Sequence, residues 1–156
     1  MKFFKLAVLS WVVVLSACAT QGPMMTPLEI QSMQTREYDH GKEVVFPSVM
    51  SVFQDLGYTV ASADKDTGLI TADSATSSNA ASKFWLGITD VSQTKATAFI
   101  EEIGSITKVR LNFVNTSKKS YAYGQSDQQD TPVLEAQIYQ NAFERVENAI
   151  FVRSSN

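Results

Sequence analysis

The sequence predicts an α+β fold in which an antiparallel sheet of about five strands carries two helices on one face. Three observations favour this fold class: an amphipathic helical segment near the start, four short segments that pair into two β-hairpins, and a long amphipathic helix at the end. The expected order of elements is β-α-β-β-β-β-α. Because hairpins and short connections join antiparallel neighbours, this order favours a sandwich of two layers.

A short strand is expected at about residues 33–39, followed by the first helix. Pro47 limits where this helix begins, because a proline inside a helix loses a backbone hydrogen bond and clashes with the preceding turn. We expect the regular helix to begin near Phe46 after a lead-in turn at 41–45; the alternative is a kink at Pro47. Gly57 supplies a left-handed C-terminal cap. The apolar face of the helix comprises Val45, Val49, Val52, Phe53 and Leu56.

Two hairpins are predicted from turn residues and from the alternation of side chains. The first places strands near 58–63 and 68–74, around a turn at 64–67 that is rich in aspartate and ends before a glycine. The second turns at 104–105, where a glycine in the first position suits a two-residue hairpin turn. These four strands make up most of the expected sheet.

The register of the second hairpin follows from its turn and sorts the side chains between two faces. Glu101 opposes Lys108 on the face expected to meet solvent, while apolar pairs share the other face. Phe99 opposite Arg110 is the exception, since it places a large apolar side chain on the solvent face. The pairs expected in the core are Ile100–Val109, Ala98–Leu111 and Ala96–Phe113.

The last expected element is a helix that begins at about Thr131. Thr131 suits the N-cap position, and Pro132 suits the first helical position. Residues 33–156 are therefore expected to form one domain, and a chain of 156 residues is long enough to bury a core. The apolar stripe of this helix comprises Leu134, Ile138, Ala142, Val146 and Ile150.

The composition is that of a globular protein, with 44% hydrophobic and 19% charged residues. The formal net charge is −3. A protein that binds nucleic acid through phosphate contacts needs an excess of basic residues. No nucleic-acid partner is therefore expected.

The first residues have the character of a targeting segment. Lys2 and Lys5 give a basic start, and residues 6–15 form an apolar run that is too short to span about 30 Å of hydrocarbon. Residues 1–17 are therefore expected to be a signal peptide. The run ends in the motif LSAC at 15–18, which contains the only cysteine of the chain.

The LSAC motif resembles the lipobox of bacterial lipoproteins. The resemblance implies that the thiol of Cys18 receives a diacylglyceryl group, that the signal peptide is cleaved before Cys18, and that the new amino group is acylated. Two or three acyl chains, at about 0.8 kcal/mol per buried CH₂, would hold the protein to a membrane. The alternative is an ordinary secretory signal, or a membrane anchor, in which the cysteine is incidental.

The residue after Cys18 predicts which membrane holds the lipid anchor. By similarity to enterobacterial sorting signals, in which Asp at this position retains a lipoprotein at the inner membrane, Ala19 implies the outer membrane and a domain that faces the periplasm. Residues 18–32 contain prolines and show no periodicity. They are expected to be the lipidated cysteine and a semi-extended tether.

The connection between the two hairpins is long for a compact domain, and long loops are often functional. Four large apolar side chains are crowded into it: Phe84, Trp85, Leu86 and Ile88. Two interpretations remain open. These residues cover the domain's own sheet, or they form an exposed patch that binds a partner protein or enters the bilayer.

No set of residues predicts a catalytic or metal centre. The stretch 64–75 begins like a calcium loop but lacks the later ligands, and the only histidine, His40, has no nucleophile motif to serve. Glu101 and Glu102 are adjacent in a strand, so they point to opposite faces. Lysines and tyrosines interleave in 115–130, a pattern that can bind glycans or nucleic acid but here favours a solvated loop. We expect no enzyme, metal or cofactor.

The mature chain resembles, in its strand–helix–hairpins–helix order, the small periplasmic lipoprotein domains of the BamC-like type. Given the anchor, the tether and the apolar 84–88 segment, we expect a non-enzymatic outer-membrane lipoprotein that serves as an interaction or assembly module of an envelope complex. It would touch the membrane through its acyl chains and an envelope protein as partner. The alternative is a domain that binds a small apolar ligand between sheet and helices. A peptidoglycan hydrolase that uses His40 is a third hypothesis.

Overall fold

A computed structural model describes residues 25–78, 89–121 and 124–155 of the chain. Three helices and seven strands occur in these ranges. The helices are α1 (Pro27–Met33), α2 (Lys42–Asp55) and α3 (Ala136–Ser154). The strands are β1 (Thr35–Tyr38), β2 (Tyr58–Asp64), β3 (Leu69–Ser74), β4 (Ser77–Ser78), β5 (Thr89–Ile103), β6 (Ile106–Ser120) and β7 (Ser126–Pro132).

All seven strands belong to one antiparallel sheet. Its main path runs β1-β6-β5-β3-β2, and β4 and β7 are added to β5 and β6. The expected five strands are this main path, and the α+β class is confirmed. β4 and β7 were not predicted, because the residues of both are polar and carry no apolar alternation.

The predicted register of the second hairpin is confirmed, and the same register continues beyond the predicted pairs to the far ends of β5 and β6. Ala96 opposes Phe113, Ala98 opposes Leu111, and Ile100 opposes Val109. These side chains are all buried on one face of the sheet. A slip by one residue would move all of them to the other face, so burial of this row specifies the register.

Helices α2 and α3 pack on the face that these pairs form. Their buried residues join those of β3, β5 and β6 in one hydrophobic cluster. The two helices on one face of the sheet are therefore as predicted, and this face of the sheet is called the inner face below. No helix in the described ranges has both the length and the apolar character needed to cross a bilayer. The core residues of α2 and α3 are Val45, Phe46, Val49, Val52, Phe53, Tyr139, Ala142, Phe143, Val146 and Ile150.

Helix α1 lies inside the stretch that was expected to be a tether. A capping box begins it: the backbone N–H of Glu29 donates to the hydroxyl of Thr26 at 3.3 Å, and the Glu29 carboxylate accepts from the Thr26 backbone N–H at 2.6 Å. Pro27 occupies the first helical position, where its missing N–H costs nothing. The tether prediction is therefore wrong for 27–32, and 18–24 lies outside the described residues.

Both long helices begin at other residues than expected. Helix α2 begins at Lys42 and includes Pro47. The early start places Val45 and Phe46 in the core, and their burial offsets the hydrogen bond that the proline loses. Helix α3 begins at Ala136, because residues 131–132 continue β7 and pair with β6.

The long central hairpin extends beyond the core. Residues 91–95 of β5 and 114–120 of β6 have no buried side chain, and every residue of β7 is exposed. Together with β4, which pairs with β5 at Ser77 and Ser78, they form what we call the distal arm. The arm is held by strand pairing rather than by burial of apolar side chains.

Candidate functional site

The residues predicted to carry a lipid or to bind a partner lie outside the described residues. They are Cys18, Phe84, Trp85, Leu86 and Ile88. The described part of the chain presents a different candidate, which is a groove on the outer face of the sheet, opposite the two long helices. It forms around Phe99, the residue that broke the alternation of the second hairpin.

The groove has apolar walls from three parts of the chain. On the outer face, Leu69 of β3 pairs with Phe99 of β5, and about half of each side chain is exposed, 46% and 47%. Ile30 of α1 also lines the groove, as do Pro132 at the end of β7 and Leu134 after it. The groove has a volume of about 420 Å³, which lies in the range typical of ligand pockets. We call it the outer groove.

The polar part of the outer groove is organised by Gln34, which is only 4% exposed. Its side-chain amide nitrogen donates to the Asn112 Oδ1 at 3.4 Å, and its side-chain oxygen accepts from the Arg110 guanidinium at 3.4 Å. Its backbone oxygen also accepts from the N–H of Leu111 at 2.8 Å. A buried residue therefore holds both Arg110 and Asn112 in place at the groove.

The charge of Arg110 is not neutralised by an ion pair with any residue of the described ranges. The next row on the same face is centred on Lys108 and carries two carboxylates. Glu37 pairs with Lys108 at 3.2 Å, and Glu101 is the cross-strand neighbour of Lys108. Arg110 is exposed, so the groove presents one accessible positive charge beside an apolar surface.

Tyr139 connects the groove to the core. Its hydroxyl donates to the backbone oxygen of Val133 at 2.9 Å and accepts from the Gln34 amide at 3.3 Å and from the N–H of Phe113 at 3.4 Å. Tyr139 is 1% exposed, so these partners have little access to water. The Tyr139 hydroxyl thus joins three parts of the fold by hydrogen bonds: Val133 after β7, the buried Gln34, and Phe113 of β6.

Replacement of Tyr139 by Phe is expected to lower the free energy of unfolding by about 2 kcal/mol, because it leaves buried partners without a hydrogen bond. Urea unfolding measures this loss. Tyr121→Phe is the matched control, since Tyr121 is 39% exposed, and its change should stay within about 0.5 kcal/mol. Equal losses for the two variants would contradict the role given to the Tyr139 hydroxyl.

A second, smaller cavity of about 310 Å³ opens between sheet and helices, where α2 ends and α3 begins. Leu56, Tyr58, Phe113 and Ile138 line it. The Tyr58 ring lies 6.1 Å from the Phe113 ring, and burial raises the pKa of the Tyr58 hydroxyl, with nearby Tyr139 adding to the rise. We call it the aromatic pocket.

The residues that were weighed for chemistry are spread over the fold. Asp64 begins the β2–β3 turn, where the side chain of Thr67 and then the backbone N–H groups of Thr67 and Asp66 hold its pKa below the ordinary value. His40 lies between β1 and α2, and its backbone oxygen accepts from the buried Thr107 hydroxyl at 2.6 Å. Glu102 is on the inner side of the sheet but is exposed.

The solvated loop predicted at 115–130 is wrong, because most of this stretch is paired strand. Residues 115–120 belong to β6 and 126–130 to β7. Lys118 and Lys119 are neighbours in one strand and so point to opposite faces. They therefore do not form one basic surface.

The comparisons with known proteins leave the family open. No protein-family model and no curated protein matches the chain. Among solved structures, the chain is similar to a DUF4468 family protein from Bacteroides ovatus, with a TM-score of 0.39 and 10% identity over 74% of this chain and 84% of that one. A likeness of this size carries no conclusion about function.

Proposed function

We propose that the chain is a bacterial lipoprotein, anchored by acyl chains on Cys18 to the outer membrane, that faces the periplasm and serves as a non-enzymatic interaction module of an envelope complex. The LSAC motif at 15–18 and Ala19 support the anchor and the membrane. The outer groove supports the interaction role, and it is the observation on which that role rests.

The outer face of the sheet has the character of a surface that is covered in a complex. Leu69 and Phe99 are adjacent and half-exposed, and they are joined in one groove with apolar residues of two other segments. Contiguous apolar surface of this kind costs free energy in water, and it is typical of interaction sites. Arg110 beside it adds the residue type that interfaces favour along with aromatics.

In-cell photo-crosslinking tests this role. With an aromatic photo-crosslinking amino acid in place of Phe99, we expect an adduct with one defined envelope protein, because Phe99 lies in the groove. Phe151 on α3 is the matched control position, since it is 71% exposed but belongs to the helix layer on the other side of the sheet. In the Cys18→Ser background, labelled palmitate should not enter the protein and the adduct should decrease strongly.

The two positions separate a specific contact from general exposure. Equal adducts from 99 and 151, or none from 99, would remove the interaction role from the outer groove. If labelled palmitate still enters the Cys18→Ser variant, the proposed lipid anchor at Cys18 is wrong.

The aromatic pocket favours a second candidate function, in which the domain binds a small apolar ligand. It lies at the opening between sheet and helices, and its floor is formed by the Tyr58 and Phe113 rings. Native mass spectrometry of the full chain distinguishes the two functions. A co-purified lipid supports the ligand-binding domain, and a protein adduct at 99 supports the interaction module.

A further inference from the structure

The charge of the outer groove selects the kind of group that can bind there. Among the described residues that line the groove, Arg110 is the only charged one and none carries a carboxylate. One guanidinium nitrogen donates to Gln34, which leaves other N–H groups directed to solvent or to a ligand. Because a guanidinium matches the two oxygens of a carboxylate, an anionic group of that type complements the site.

The apolar part of the groove lies beside this charge. Phe99 is the cross-strand neighbour of Arg110, and Leu69 is the cross-strand neighbour of Phe99. The three side chains therefore form a row across β3, β5 and β6 on the outer face. A ligand with its carboxylate on Arg110 would extend its apolar part over Phe99 and Leu69.

Two further polar side chains in the groove indicate what kind of ligand carries the carboxylate and the apolar group. Thr97 and Asn112 are cross-strand partners that line the same groove, and both are partly exposed. A plain alkyl chain would take them out of water without giving them a hydrogen bond, which is unfavourable. A peptide offers amide N–H and C=O groups to both of them, so the lining favours a peptide over a fatty acid.

We infer that the outer groove binds the C-terminal end of a partner polypeptide, with its terminal carboxylate on Arg110 and its last apolar side chain on Phe99 and Leu69. This inference rests on the proposed interaction function and names the part of the partner that is recognised. The volume of about 420 Å³ suits a short terminal segment rather than a folded domain.

Fluorescence anisotropy on the full lipidated chain in phosphatidylcholine nanodiscs tests it. The probes are two pools of labelled short peptides, each with a Gly-Ser spacer and a terminal Leu, Ile, Val, Phe or Met. One pool ends in a free carboxylate and the other in a carboxamide. We expect the carboxylate pool to bind about tenfold or more tightly than the carboxamide pool, since a charged hydrogen bond is worth that much.

Variants assign the difference to Arg110. Arg110→Gln should reduce binding of the carboxylate pool to the level of the carboxamide pool, and Arg110→Lys should keep part of it. Arg145→Gln is the matched control, because Arg145 is an exposed arginine on α3, in the layer on the other side of the sheet. It should leave binding unchanged.

Several results would overturn the inference. The inference fails if the two peptide pools bind equally or if neither binds. It also fails if Arg110→Gln leaves binding of the carboxylate pool unchanged. It fails as well if dodecanoate binds in an Arg110-dependent way and no peptide binds. The last result would make the groove a fatty-acid site. An adduct at position 99 combined with equal binding of the two pools would overturn this inference alone and leave the proposed function standing.

Discussion

Gly68→Ala is expected to lower the free energy of unfolding by about 3 kcal/mol or more. Gly68 ends the β2–β3 turn with φ +77°, which a residue with a side chain rarely adopts. A Cβ there would also lie 2.0 Å from the backbone oxygen of Ile100, which belongs to β5. The Ile100 N–H donates to the Gly68 oxygen at 2.9 Å, so the two backbones are already in direct contact.

Urea unfolding measures this loss, and Gly104→Ala is its matched control. Gly104 has φ +66°, but a Cβ there would meet nothing within 4 Å. Its substitution should therefore cost only the backbone term, about 1 kcal/mol. Similar losses for the two variants would show that close approach to Ile100 is not what requires Gly68.

Phe113→Ala is expected to lower the free energy of unfolding by about 4 kcal/mol. Phe113 is 1% exposed, and its ring lies 5.2 Å from the Tyr139 ring and 6.3 Å from the Phe53 ring. The substitution removes the ring that lies between Phe53 of α2 and Tyr139 of α3. Because the core is closely packed, the two helices cannot fill the resulting cavity without moving. Thermal or urea unfolding of the variant tests the size of the loss.

Phe99→Ala is the matched control for this prediction. Phe99 belongs to the same central hairpin but lies on the outer face and is 47% exposed, so its loss should cost about 1 kcal/mol or less. Peptide binding in the outer groove should nevertheless decrease. A cost for Phe99 that equals the cost for Phe113 would mean that the outer face is part of the core.

The sheet was predictable where burial on one face enforces an alternation of side chains. In the second hairpin the turn at 104–105 and three apolar pairs agreed on one register, and that register is the observed one. The same physical pattern is absent from β7, whose residues are all exposed. Strand pairing there depends on a neighbouring strand that sequence periodicity cannot reveal.

Helix boundaries were less predictable because local preferences compete with tertiary contacts. Pro132 suits the first position of a helix as well as the end of a strand. In the structure it pairs with Val114 and ends β7, so the helix begins later. Pro47 argued for a late start of α2, and burial of Val45 decides for the early one. The capping box of Thr26 and Glu29 was visible in the sequence, but the prolines around it favoured an extended tether.

The outer groove was predictable only in part. Phe99 opposite Arg110 was the one visible signal, since it broke the rule that polar side chains occupy the solvent face. The role of Gln34 had no signal, because an isolated glutamine before a strand is ordinary. Its importance comes from a contact with Tyr139, which is 105 residues away in the chain.

The distal arm has a consequence for how the molecule opens. Core rows such as Ala96–Phe113 can separate only when the whole domain unfolds, whereas the described residues of the arm bury no apolar side chain. The two ends of one continuous hairpin therefore belong to different cooperative units, and the arm can lose and regain its strand pairing while the helices stay packed.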